Sequence, residues 1–231
     1  MSRWEPDARG RLERAALELY SERGFEQTTV AEIAARAGLT ERTFFRHFAD
    51  KREVLFGGAG QLQDFLVTTL GSTPDSVAPI DAVAAAFEAA SVLLEERRDY
   101  SGMRQATIDA NLDLQERELV KLATLSAALA GTLRERGVAE PAASLTAEAG
   151  VAIFKIAFAR WVSEASQRTL AQHIQESLGE LKAVTAGKLS ADPSCWRAPA
   201  ARHGGGQGAG HAALAVAGPA AGAAAFSGGR S

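Results

Sequence analysis

Residues 29 to 53 read TVAEIAARAGLTERTFFRHFADKRE, and the fold is decided there. Thr29 followed by Glu32 is a capping box, in which hydroxyl and carboxylate take up backbone N–H groups that a helix start leaves unpaired. The spacing predicts a helix from Val30, with Val30, Ile33, Ala34 and Ala37 at helical intervals. It stops at Gly38, which enters the left-handed conformation without a Cβ penalty. Leu39 plugs the corner. Thr40 caps a second short helix, where Phe44 and Phe48 lie four apart on one face and Glu41, Arg42, Phe45, Arg46 and His47 occupy others. Asp50 followed by Glu53 starts a third. This is the pattern of a helix-turn-helix, whose second helix enters the DNA major groove.

Working outward, a first helix is expected from about Asp7 to Arg23. Leu12, Ala15, Ala16 and Leu19 form its buried stripe, Gly24 ends it, and Phe25 folds back into a three-helix core. The whole chain carries a net charge of −3 with a pI near 5.9, yet between residues 36 and 52 five bases face two acids. Distribution matters more than the sum for a nucleic-acid partner. Arg3, Arg9, Arg11 and Arg14 add a second basic group, an arm placed to reach a phosphate or a minor groove. Glu5, Asp7 and Glu13 dilute it.

The run from Arg11 to Phe56, centred on GFEQTTVAEIAARAGLTERTFFRHFADKREVLF, resembles the DNA-binding domain of the TetR family of bacterial transcriptional regulators. Phe25, Thr28, Thr29, Ile33, Ala34, Ala37, Gly38, Thr43, Phe44, Phe48 and Lys51 carry the resemblance. It implies a DNA contact set of Thr29, Thr40, Glu41, Arg42, Thr43, Phe45, Arg46, His47 and Lys51. Arg42 is the expected base reader, since arginine donates bidentately to guanine, and Glu41 is able to accept from cytosine N4. Lys51 is expected at phosphate. Phe45 departs from the tyrosine many members carry, so apolar contact replaces a phosphate hydrogen bond there. The resemblance further implies a homodimer on a partly palindromic double-stranded operator, responsive to a small-molecule effector, with repression as the family's tendency. A ligand-dependent activator, or a helical small-molecule-binding protein with a degenerate helix-turn-helix, stay open as alternatives.

Composition agrees with an all-α fold of about nine helices. The chain has 231 residues, 46% apolar and 6% aromatic, and Ala, Leu, Glu and Arg dominate without strand-like alternation. A single cysteine, Cys195, excludes an intrachain disulfide. The N-terminus lacks the apolar core of a signal peptide, and no stretch approaches about 18 to 20 uninterrupted apolar residues. These features lead to the expectation of a soluble cytoplasmic protein with no membrane partner. No P-loop, dinucleotide fingerprint or zinc signature is present, and Tyr100, His173 and Glu148 make no nucleophile, base and orienter set. No cofactor, metal or enzymatic activity is expected.

Three segments are expected: a DNA-binding domain at 1–56, a helical ligand-binding and dimerisation domain at 57–189, and a low-complexity tail at 190–231 whose His203 and His211 are not read as metal ligands. Helices are placed near 51–71, 77–97, 101–111, 114–136, 141–164 and 167–187. Gly57, Gly58 and Gly60 should soften the fourth helix, either as a hinge or for close packing. Residues 141–164 carry two apolar stripes. Leu145, Ala149, Ile153 and Ile156, with Leu170, Ile174, Leu178 and Leu181 of the last helix, are the expected dimer interface, as halves of a four-helix bundle; the alternative is that both stripes close a single monomeric core. Phe65, Phe87, Leu94, Met103, Ile108, Phe154, Phe158 and Trp161 are candidate pocket-lining residues, with Tyr100, Arg104 or His173 to meet a polar group. The stretch DANLDLQERELVKLATLSAALAGTLRERG (109–137) resembles family members with acyl-CoA-like effectors.

Overall fold

In the computed structural model, which describes residues 7–164 and 167–188, the elements are all α-helices, and no strand occurs among the described residues. They are α1 (Ala8–Arg23), α2 (Val30–Arg36), α3 (Glu41–His47), α4 (Glu53–Phe56), α5 (Ala59–Ser72), α6 (Pro79–Glu95), α7 (Arg98–Asp109), α8 (Leu112–Glu135), α9 (Ala142–Ser163) and α10 (Leu170–Thr185). Cys195, the tail at 190–231 and Arg3 lie outside the described residues.

The expected fourth helix is broken into two. One turn, α4, ends at Gly57 and Gly58, and α5 begins at Ala59. A Cβ on Gly57 would come within 3.1 Å of the Phe48 ring, whereas one on Gly58 would meet nothing within 4 Å. Packing therefore explains the first glycine and not the second. Counting α4 and α5 as one broken helix gives the expected nine.

Two apolar cores organise the described residues. The first gathers Leu12, Ala16, Leu19, Phe25, Ile33, Phe44 and Phe48 of the N-terminal helices with Val54, Leu55 and Phe56 of α4. It also takes in Ile108 of α7 and Leu114 of α8. The head is thus closed by side chains supplied from α7 and α8. The second core lies among α5, α6, α8, α9 and α10. Phe87 stacks on Phe154 with ring centroids 4.7 Å apart, and Phe158 and Trp161 continue the ladder at 5.7 and 5.6 Å. Gly150 lets α9 press against α6, since a Cβ there would lie 2.2 Å from Cγ1 of Val83.

By length and composition alone α9 could cross a membrane. It is instead packed against α6, α8 and α10, and it carries Glu148, Lys155 and Arg160 on its remaining faces. The expectation from uninterrupted apolar runs missed this helix because its charges are few and spaced.

Arginines tie the head to the second half of the chain. Arg97 reaches Glu13 of α1 at 3.0 Å, and Arg104 donates to the Leu55 carbonyl at 2.6 Å and to Glu118 at 3.2 Å. Arg117 pairs with Glu53, and Arg52 with Asp113 at 3.3 Å.

Candidate nucleic-acid interface

The helix-turn-helix forms as its caps dictate. The Thr29 hydroxyl accepts from Glu32 N at 3.2 Å while Thr29 N donates to the Glu32 carboxylate at 2.9 Å. That hydrogen bonding holds the Glu32 carboxyl below its ordinary range. Gly38 takes a φ of 66° and turns the chain. The Thr40 hydroxyl accepts from Thr43 N at 3.2 Å and shares a hydrogen bond with the Thr43 hydroxyl at 3.1 Å. Asp50 accepts from the backbone N–H of Arg52 and of Glu53 at 2.8 and 2.9 Å.

Phe44 and Phe48 are buried in the core where α3 docks on α1 and α2, their rings 5.5 Å apart. The opposite face is left to solvent. Glu41, Arg42, Phe45 and Arg46 are exposed there, with Phe45 56% accessible, and Thr43 and His47 are half-buried. Thr29 and Thr40 sit at the starts of α2 and α3, where backbone N–H groups favour an anion.

Most cations of the head are committed inside it. Arg36 grips Glu22 with two hydrogen bonds at 2.8 and 2.9 Å, and Arg23 pairs with Glu32 at 2.9 Å. Lys51 donates to the carbonyls of Phe25, Glu26 and Thr28 at 2.9, 3.2 and 3.1 Å and lies over the Phe25 ring. An ammonium has three protons, and all three are used to hold the α1–α2 turn. The structure therefore sets Lys51 apart from the outward group; it braces the Phe25–Thr28 turn that leads into α2. The expected arm is corrected likewise: Arg9 bonds Glu13 and the Gly57 carbonyl and Arg11 bonds the Ala37 carbonyl, both facing inward. Arg14 is exposed. Arg42 and Arg46, one turn apart on α3, have no ion pair among the described residues.

The expected pocket set is divided between the two cores. Ile108 is fully buried in the head core, Tyr100 packs against it, and Arg104 is spent on Leu55 and Glu118. Burial beside Glu13 pushes the Tyr100 phenol up to about 12. Phe87, Phe154, Phe158 and Trp161 do come together, with Leu94 against the same core, but they fill their space. Phe65 and Met103 are partly exposed. Helical spacing of aromatics could not distinguish a filled ladder from a lined cavity. His173 is fully buried, with neither ring nitrogen hydrogen-bonded.

The expected dimer set is also corrected. Leu170, Ile174 and Leu178 are buried within the chain's own core, with Ile153 beside them and Leu181 packed against it. The apolar stripe of α10 is its only one, and its own domain uses it. Leu145 and Ile156 of α9 remain 66% and 57% exposed, and Ala149 half-buried. Residues that sequence reasoning passed over are Arg97, Arg98 and Arg117, which bridge segments far apart in the chain and carry no local signal.

Residues 13–56 match the model for bacterial regulatory proteins of the tetR family. The HTH-type transcriptional regulator TcmR of Streptomyces glaucescens is 40% identical over 81 residues, 35% of this chain. The match spans only 36% of that relative's length. A TetR-family regulator of Syntrophomonas wolfei shares the fold with a TM-score of 0.56 at 16% identity, over 80% of this chain and 98% of that one. FadR of Bacillus subtilis, solved with stearoyl-CoA, does so with a TM-score of 0.56 at 20% identity, over 74% and 96%. The helix-turn-helix of residues 13–56 is thus similar to that of tetR-family regulators, and the helices that follow share the fold of the solved structures.

Proposed function

We propose that this chain is a TetR-type transcriptional repressor that binds a partly palindromic operator as a homodimer and releases it when a small, largely apolar effector binds. One observation carries the reading: α3 offers Arg42 and Arg46 without internal partners, beside an exposed Phe45, while the neighbouring Arg36 and Lys51 are tied down. Guanidinium groups without internal partners on the outward helix are what base-edge reading needs. Two such helices would enter successive major grooves about 34 to 36 Å apart, or a multiple of that.

Selection from random duplexes at physiological salt tests this. Enrichment of an inverted repeat is expected; weak, salt-sensitive binding without enrichment would overturn it. The domain organisation proposed with it is a reading head at 1–56 and an effector and dimerisation body at 57–189. Effector entry is proposed at the Phe87, Phe154, Phe158 and Trp161 ladder, which must open to admit an apolar chain. Stearoyl-CoA is the first probe, and release of the selected operator is the readout.

A further inference from the structure

His173 lies in α10 with none of its surface exposed, and carboxylates stand just beyond hydrogen-bonding reach on both sides of its ring. Oε2 of Glu164 is 3.8 Å from Nε2, and Oε2 of Glu176 is 3.9 Å from Nδ1. A neutral imidazole has one N–H and one lone pair. It can satisfy only one of the two carboxylates, and its bare nitrogen repels the other. An imidazolium donates from both nitrogens and fits the pair.

The other charges around the ring set what a proton would do. Arg160 of α9 bridges the two carboxylates, 3.2 Å from Glu164 and 3.1 Å from Glu176, and Arg168 holds Glu176 at 2.9 Å. Two guanidinium groups thus balance two carboxylates while the ring is neutral. α6 contributes Glu95, whose carboxylate accepts from Leu170 N, and α7 contributes Arg98, which donates to the Trp161 and Glu164 carbonyls at 2.6 Å. Trp161 Nε1 and Ser177 Oγ are buried without partners, as are both nitrogens of His173. Unpaired polar atoms of this kind mark a place where the packed state is incompletely satisfied.

We propose that His173 is a proton-operated lock between α9 and α10. As pH falls the ring takes up a proton, Glu164 and Glu176 close on its two nitrogens, and the end of α9 that carries Trp161 is pinned to α10. Each gap closes by about 1 Å to reach a charge-assisted hydrogen bond of about 2.7 to 2.9 Å. The consequence rests on the effector reading above: Trp161 ends the aromatic ladder that must open, so an effector needing the open form works against the proton by linkage. Acid therefore raises the effector concentration that releases the operator.

Nitrogen-15 NMR of the full chain reads the ring directly. His47→Gln/His203→Gln/His211→Gln leaves His173 as the only one of the four histidines. Between about pH 7.5 and 5.5, where imidazoles titrate, its nitrogens should pass from one protonated and one bare to both protonated. Amide exchange over residues 158–163 and 170–178, corrected for its intrinsic pH dependence, should be about fivefold or more slower at the acid pH. Glu164→Gln and Glu176→Gln should each reduce that gain and His173→Gln should remove it, whereas a merely structural ring would change protection equally at both pH values. A ring that stays neutral, or a gain that survives His173→Gln, overturns the lock. With stearoyl-CoA as probe, half release of the selected operator should need about fivefold more at the acid pH in the parent and the same amount at both in His173→Gln. Equal release in the parent overturns the coupling to Trp161. No release at either pH counts against the effector reading, and the lock then stands or falls on the NMR and exchange alone.

Discussion

Arg97 and Arg98 are neighbours in the chain and hold opposite parts of it. Arg97 donates to Glu13 of α1 at 3.0 Å, while Arg98 donates to the carbonyls of Trp161 and Glu164 at the end of α9, each at 2.6 Å. One peptide unit therefore joins the head to the end of the aromatic ladder. A shift at Trp161 has a short path to α1, through a discrete pair of contacts rather than through general deformation.

Arg97→Ala should leave operator affinity within about twofold, because the residue is half-exposed and an exposed pair contributes about 1 kcal/mol or less. Effector-driven release should fall. Fluorescence anisotropy of labelled operator, with and without effector, separates the two, and undiminished release would remove Arg97 from the coupling path.

Arg42→Ala and Arg46→Ala should behave differently. Losing a bidentate guanine contact at Arg42 should cost about 1 to 3 kcal/mol and relax specificity at one position of each half-site. Arg46 lies nearer the end of α3, away from the base edges, so its loss should weaken all duplexes alike and reduce the salt slope by about one per subunit. Identical sequence preferences for Arg42→Ala and its parent would contradict the assignment.

Lys51→Met keeps the stem over Phe25 and removes three charged hydrogen bonds. Hydrogen bonds to charged groups contribute about 1.5 to 3 kcal/mol, so the melting temperature should drop by about 4 to 10 °C. Operator binding should recover on cooling. A variant that melts like its parent yet binds DNA weakly would show that Lys51 acts at phosphate.

Gly58→Ala tests the break between α4 and α5. The site is open and its φ is −93°, so alanine fits without strain, and the gain should be about 0.4 to 1 kcal/mol. If the break is a hinge, DNA affinity persists and induction weakens. Unchanged induction in a stabilised variant would make the break merely structural.

Acid should loosen the helix-turn-helix at the Thr29–Glu32 cap. The Glu32 carboxyl is lowered from 4.5 by its bonds to Thr29. A group whose folded pKa is depressed contributes stability above its unfolded value and loses it as pH falls through the folded one. The contribution is therefore intact at neutral pH and fades below about pH 4.5. Glu32→Gln retains an acceptor without the proton, so its melting temperature should fall less steeply with acid than the parent's.

Legibility followed the range of the interactions. Thr29 with Glu32, Gly38, Thr40 and Asp50 act within three or four residues, so the head was readable almost to the residue. The second apolar stripe of α9 was readable too. Its counterpart on α10 was assigned to a partner because periodicity reports that a face is buried without saying against what. Arg104 looked like a ligand handle and turned out to brace Leu55, forty-nine residues earlier. The inward turn of Lys51 was equally hidden, since its three acceptors are backbone carbonyls that any sequence would supply.

Ile108 and Leu114 complete the head core from outside the head. A chimaera that grafts residues 1–56 onto another regulator's body would therefore inherit a reading unit with two of its packing positions vacant. Exchanging specificities between such proteins calls for a cut that carries the stretch around 98–117 along with the head, or for repacking the recipient's elbow to match. The same dependence limits how freely recombination could shuffle this head among unrelated effector bodies.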